Sequence, residues 1–390
     1  MKLAYSKDRH SVLVAVLLAL GAACAQPPAP PELDDPLPGL TEDQLARFEE
    51  GETIFEGTFT AEQGLGPLFN AEGCAECHSE PTDGGAGAIK ELHVSGLGAE
   101  GECDSLLDLG GPVIQQRATP ALEAAGITSE PVPGEVSAQG QRTTPDVFGF
   151  GLLDAVPDKT ILALADPDDR DGDGISGRAH RLPGGHIGRF GRKAIGASLA
   201  LFNEGAFRIE MGLTSEHEPL ENSVAGAPLP EGVDPLAEPE LTRETTAFVN
   251  DYVRFLAPPA PAAMTHKTWK GRWVFERIGC AACHVPSLRT GEHEVRALAH
   301  QEVFAYTDLL LHDMGPELAD ICMGDASPSE WRTEPLMGLR HMQRFLHDGR
   351  ASTVSDAILA HGGEGERARA TFKDLDAEER EALLAFLGAL

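Results

Sequence analysis

Cys74-Ala75-Glu76-Cys77-His78 and Cys280-Ala281-Ala282-Cys283-His284 are two copies of one pattern, and their reading decides that of the whole chain. Two thiols three residues apart on a helical turn can each form a thioether with a haem vinyl group, and the adjacent imidazole then faces the iron. One such pentapeptide could be a zinc or redox pair that happens to precede His. Two, in a chain with no other metal-ligand spacing, read as two sites of covalent haem c attachment. The cofactor-binding residues expected are Cys74, Cys77, His78, Cys280, Cys283 and His284, with His78 and His284 on the irons.

The flanks repeat as well. Thr41-x-x-Gln44 reads as a capping box opening a helix with Leu45, Phe48 and Phe55 on one side. Its Gly51-x-x-x-Phe55 is echoed by Gly271-x-x-x-Phe275 before the second motif, with Val274 and Ile278 nearby. Helices in those places would pack against each haem. The 206 residues between the first Cys of each motif exceed one minimal cytochrome c module. The fold class expected is therefore mainly α, two cytochrome c-like haem domains with long loops, the first enlarged by insertions. The first domain spans 41–258, with few clear strands. Ala257-Pro258-Pro259-Ala260-Pro261 is a stiff boundary. The second domain spans 265–390 and closes on an amphipathic helix from Asp376 to Leu390, with Leu383, Leu384, Phe386, Leu387 and Leu390 as core.

Of 390 residues, 42% are apolar and 24% charged, ordinary values for a globular protein. Acids outnumber bases 62 to 31, and the formal charge of −31 argues against nucleic acid as a partner. It permits steering of a basic protein partner. Lys2, Lys7 and Arg9 precede an apolar run from Val12 to Ala23, too short to span a bilayer but suited to an export signal over residues 1–25. Two processing sites compete. Ala23-Cys24-Ala25 fits a small-x-small cleavage site, whereas Gly21-Ala22-Ala23-Cys24 resembles a lipobox that would make Cys24 a lipid anchor. Residues 26–40 form a Pro-rich tether. A periplasmic protein without a transmembrane span is expected, free or lipid-anchored.

With both motifs placed, the chain resembles the bacterial di-haem oxidoreductase family (so-called thiol oxidoreductases), a branch of the di-haem cytochrome c peroxidase superfamily. Gly64-Leu-Gly-Pro-Leu-Phe-Asn70, Ala165–Arg178, Glu210-Met-Gly-Leu-Thr-Ser215, Leu309-Leu-Leu-His-Asp-Met-Gly315, Phe345-Leu-His-Asp-Gly-Arg350 and Ala357-Ile-Leu-Ala-His361 carry the likeness. The resemblance implies a C-terminal haem that stores an electron, its distal ligand fourteen residues after His347, at His361. Related peroxidases mostly have Met there; two imidazoles favour a low-spin centre of lower potential. Met314 and Met342 are the competing ligands. The same resemblance implies a reactive N-terminal haem with Glu210 as its acid–base group; a solvated helix carboxylate is the other reading of Glu210. It places Phe190 where the peroxidases carry an inter-haem Trp, and Ala200 where they carry a Gln. His93 is either a resting-state distal ligand of the first haem or a loop His without that role.

Asp169, Asp171 and Asp173 with Gly174 match the first half of a calcium loop, or else a solvated acidic turn. Cys103 and Cys322 are left over, as a disulfide linking the halves or as two buried thiols. Arg178, Arg189, Arg192 and Arg350 are candidate partners for haem propionates. The function expected is haem-based electron transfer with peroxidase-like reduction of hydrogen peroxide. The alternatives are a pure electron carrier, or an oxidase of a protein or organic substrate. A small cytochrome or cupredoxin would donate electrons, and a homodimer is compatible with the resemblance.

Overall fold

The computed structural model describes residues 31–390. The expected export signal, both processing sites, Cys24 and the first part of the tether lie outside the described residues. In chain order the elements that matter are α1 (Glu42–Glu56), α2 (Cys74–Cys77), β1 (Lys90–Leu97), β2 (Cys103–Asp104), β3 (Val113–Ile114), β4 (Ala138–Thr143), α3 (Leu199–Met211) and α4 (Arg243–Phe255). They continue with α5 (His266–Arg277), β5 (Leu311–Asp313), β6 (Glu330–Arg332), α6 (Val354–Ala360), α7 (Glu366–Asp374) and α8 (Ala377–Leu387).

Thr41 opens α1 as expected. The Gln44 amide donates to its hydroxyl at 3.3 Å, and the Gln44 side chain accepts from the Thr41 N–H at 2.9 Å, so two otherwise unpaired donors are satisfied. The glycine echo has a packing cause. A Cβ on Gly51 would overlap the Phe248 carbonyl oxygen in α4, and one on Gly271 would overlap the Ala382 carbonyl oxygen in α8. Each glycine thus lets the helix before a motif touch the backbone of its partner helix. The Phe four residues on then reaches the motif histidine. Phe55 lies 6.0 Å from the His78 ring and Phe275 lies 6.5 Å from the His284 ring, centroid to centroid.

Between the motifs the structure departs from the mainly-α expectation. Among the described residues the structure is mixed, 35% helical and 13% strand. β1 pairs antiparallel with β4 from Lys90↔Thr143 to Ser95↔Ala138, with β3 at Leu92↔Ile114 and with β2 at Gly96↔Asp104. The stretch Glu91-Leu-His-Val-Ser95 alternates in polarity, which suits a strand with two different faces. Leu92 and Val94 pack with Leu106 and Ile114 in a small core, leaving Glu91 and His93 on the other side. The alternation is only five residues long, so the helical periodicity around it hides it.

The larger core runs from Leu37 through Phe48, Phe148, Phe207 and Tyr252 and also takes in Leu288, Leu298, Val303 and Leu310 from beyond the Pro-rich segment. That segment is held at both ends: Ala257 donates to the Asp35 carbonyl and Ala262 to the Ala389 carbonyl. A second core joins Val274, Phe275 and Ile278 of the α5 region to Leu383, Phe386 and Leu387 of α8, the closing helix expected from the sequence. Each such fully buried side chain contributes about 1.5–3 kcal/mol. Cys103 and Cys322 form a disulfide across 219 residues, with Cα atoms 5.8 Å apart. Among the described residues, no helix is long and apolar enough to cross a membrane.

Candidate functional site

The first site is built on α2. His78 follows it and donates through Nδ1 to the Gly85 carbonyl at 3.1 Å. Burial lowers the proton affinity of this imidazole and pushes the Cys74 and Cys77 thiols up to about 12. At Cys77 the charges of Glu210 and Glu91 add to that effect.

Glu210, near the end of α3, accepts from Asn70 Nδ2 at 2.9 Å. Asn70 is itself oriented, because its Oδ1 takes the Gln116 N–H at 2.9 Å and its own N–H meets the Glu210 carbonyl at 2.6 Å. Burial first, and the Glu91 charge second, hold the Glu210 carboxyl well above the ordinary range, against the pull of Asn70. Glu91 behaves oppositely. Burial resists its ionisation, but the hydrogen bond and charge of His93 outweigh it and keep the Glu91 carboxyl below the usual value. His93 Nε2 lies 3.0 Å from Glu91 Oε2, and burial together with the Arg142 charge lowers the His93 ring against the pull of Glu91. Its Nε2 is therefore occupied by Glu91, and its buried Nδ1 has no hydrogen-bond partner. Two neighbouring carboxyls are thus shifted in opposite directions, an arrangement that separates the better proton donor from the better acceptor.

The second site surrounds a cavity of about 620 Å³, within the range of cofactor sites. Cys280, Cys283, His284 and His361 line it. His284 Nδ1 donates to the Tyr306 carbonyl at 3.0 Å, and His361 Nδ1 donates to the Ala357 carbonyl at 2.7 Å. Both rings therefore turn a bare Nε2 outward. Burial, reinforced by His361, pushes His284 down to about 4, and burial lowers His361 too. Neutral imidazoles with one nitrogen held by a carbonyl are the ligand form. Met314 and Met342 line the same cavity.

A buried polar layer lies between the sites. Arg142 donates to Asp320 at 2.9 Å, and Lys193 sits 3.3 Å from the other Asp320 oxygen and 3.9 Å above the Trp331 ring. Trp331 stacks on His347 at 3.8 Å, and both line the cavity.

Of the four arginines expected beside the propionates, only Arg192 reaches the cavity wall. Arg178 is paired with Glu330, Arg189 with Asp158 and the carbonyls of Leu153 to Val156, and Arg350 with Asp348 and the Glu317 carbonyl. Nearer acceptors in the fold have claimed them. Arg332 and Arg344 line the cavity instead. Phe190 is a core residue between Phe150 and Phe202, at 5.6 and 6.1 Å. Asp169, Asp171 and Asp173 bring carboxylate oxygens within 4.8 Å of one another on an exposed loop. Glu221, Asp234, Glu238 and Glu240 do the same in a less exposed place. There burial and mutual repulsion push Glu221 up to about 9 and Glu238 up to about 8.

The family model described as "Di-haem oxidoreductase, putative peroxidase" matches residues 121–390. The chain belongs to the di-haem oxidoreductase family. No curated protein matches it in sequence. Among solved structures, this di-haem oxidoreductase is similar to hydrazine synthase of Kuenenia stuttgartiensis, with 14% identity, 98% of this chain and 100% of that one covered, and a TM-score of 0.38. It is also similar to a MauG-like protein associated with microbial copper homeostasis, at 17% identity, 94% and 95% coverage, and a TM-score of 0.42. A variant of the di-haem peroxidase BthA from Burkholderia thailandensis matches at 14% identity, 89% and 86% coverage, and a TM-score of 0.42.

Haem fits both sites on the chemistry of the donors. In each motif two thiols stand beside an imidazole whose Nδ1 is held by a backbone carbonyl, and burial raises all four thiols. They also stay unpaired while Cys103 and Cys322 are bonded in the same chain. Sequence reasoning missed Glu91 as a site residue, and it named Asn70 only within a family stretch. The i, i+2 pair Glu91 and His93 on a strand was the available signal.

Proposed function

We propose that this exported di-haem oxidoreductase carries two covalently bound haem c groups and reduces hydrogen peroxide at the N-terminal one. Cys74 and Cys77 tether that group through thioethers and His78 supplies its proximal ligand. Cys280 and Cys283 would tether the second, and His284 and His361 would hold its iron. A haem bound at the first site supplies electrons to the peroxide bond and accepts them in turn from the second. The protein's own part is proton management. Reduction of one peroxide to two waters takes two electrons and two protons. Glu210 enters protonated and donates, held in place by Asn70. Glu91, held below the usual value by its contact with His93, takes a proton from solvent and returns it to Glu210, which donates the second.

The observation that carries this reading is the asymmetry of the two sites. The second presents the imidazole of His361 in the same cavity as His284, whereas Glu210 at the first is a half-buried carboxyl held toward its protonated form. The electron donor is a small basic protein suited to a surface of formal charge −31. The Asp169, Asp171 and Asp173 loop is the calcium position of this reading.

Glu210→Gln tests it. Turnover of peroxide should fall about 10²–10⁴-fold, the usual contribution of a positioned acid–base group, with haem content unchanged. Unchanged turnover at full haem content would remove Glu210 from the chemistry.

A further inference from the structure

The Leu309–Gly315 stretch contains a histidine that the proposed reaction does not use. His312 lies in β5, paired with Trp331 of β6, and its side chain is 3% exposed. Its Nε2 is 2.9 Å from Asp308 Oδ2 and its Nδ1 is 2.6 Å from Glu364 Oε2. A ring with a carboxylate oxygen on each nitrogen carries both N–H groups, so it is an imidazolium. The same Nδ1 lies 3.6 Å from the sulfur of Cys283.

Every partner in this clamp is itself held. Asp308 Oδ1 takes the Leu310 N–H at 2.9 Å. Glu364 takes the Ser176 N–H at 3.0 Å and the Ser176 hydroxyl at 2.8 Å. Gly177 leaves the space, since a Cβ there would stand 2.6 Å from the imidazole carbon. The clamp therefore joins the 165–178 loop of the first half to the second attachment motif.

We propose that His312 is a positioning residue for the second haem: a fixed positive charge against the attachment sulfur of Cys283 that raises the reduction potential of the group held there. Burial opposes the charge, but the Asp308 contact, the Cys283 sulfur and the Glu364 contact together raise the ring, and the two carboxylates remain its partners when that sulfur is a thioether. His312 touches neither substrate nor iron ligand. It acts by favouring the electron-rich state of the neighbouring group, because a nearby cation in a low-dielectric interior stabilises added negative charge. Burying three ionisable groups in one place is costly unless they are mutually paired, which gives the clamp its closed form.

The inference rests on the reading of Cys280–His284 as a haem site but not on peroxide as the substrate. Redox titration of the holoprotein, following the two haems separately, distinguishes the two. His312→Gln should lower the potential of the second haem and leave that of the first in place. Glu364→Gln keeps an acceptor oxygen for His312 and removes a negative charge, so it should raise the same potential. Opposite shifts confined to one haem establish the role. Shifts of the same sign in both variants, or none in either, overturn it. Glu364→Gln decides the matter alone if His312→Gln fails to fold, since an unmoved or lowered potential contradicts the proposal. Loss of peroxide turnover in Glu210→Gln, or its absence, bears on neither outcome.

Discussion

The two attachment sites share a proximal half and differ in the distal one. On the proximal side the parts correspond closely: a capped helix, a glycine pressed on a partner helix, a phenylalanine four residues later, two thiols, and a histidine whose Nδ1 is held by a carbonyl. On the distal side the second site offers His361 from the end of α6, whereas the first gathers Asn70, Glu91 and Glu210 from three separated segments. The shared half holds a cofactor. The unshared half decides whether a small molecule can reach it or a second ligand stands in the way.

His361→Ala is the strongest way to break that contrast. The second site should lose its low-spin optical and electron-spin-resonance signature and bind cyanide, and added imidazole should restore the signature. A spectrum identical to that of the unaltered protein would give the ligand position to Met314 or Met342. A smaller effect is expected at the first site from Asn70→Leu, which removes the hydrogen bond that pulls Glu210 toward ionisation. Peroxide turnover should fall roughly three- to tenfold, the scale of one hydrogen bond of about 1 kcal/mol. The pH-rate limb assigned to Glu210 should also move upward. A limb that stays put or moves down would detach Asn70 from the acid.

The smallest effect concerns stability. The first half holds the Glu221, Asp234, Glu238 and Glu240 group, and Glu221 is raised from about 4.5 to about 9 on folding. Between those values the folded chain binds more protons than the unfolded one at this position, so stability falls as pH rises. Glu221→Gln should therefore raise the melting temperature at pH 8 more than at pH 5. An equal change at both would mean that the cluster is relieved in some other way.

The proximal halves were legible because their instructions are local. Thr41 and Gln44, Gly51 and Phe55, and each Cys-x-x-Cys-His run lie within a few turns of one another. The closing helix was legible for the same reason, through the spacing of Leu383, Phe386 and Leu387. The strand carrying Glu91 was not, because five alternating residues between turns are weak against a helical background. The arginines could not be told apart for a different reason: charge alone does not say which acceptor will be near, and Arg178, Arg189 and Arg350 pair with Glu330, Asp158 and Asp348 while Arg192 lines the cavity.

What the amino-acid order alone carried was the family, the two Cys-x-x-Cys-His runs and the expectation of a haem at each. Covalent attachment depends on residues adjacent in the chain, and adjacency survives in any conformation. Only the tertiary structure decided the direction in which Glu210 is shifted, the partner of His93, the two carboxylates on His312 and the bond between Cys103 and Cys322. Each of these depends on groups far apart in sequence being removed from water together, and burial and proximity are properties of the folded chain.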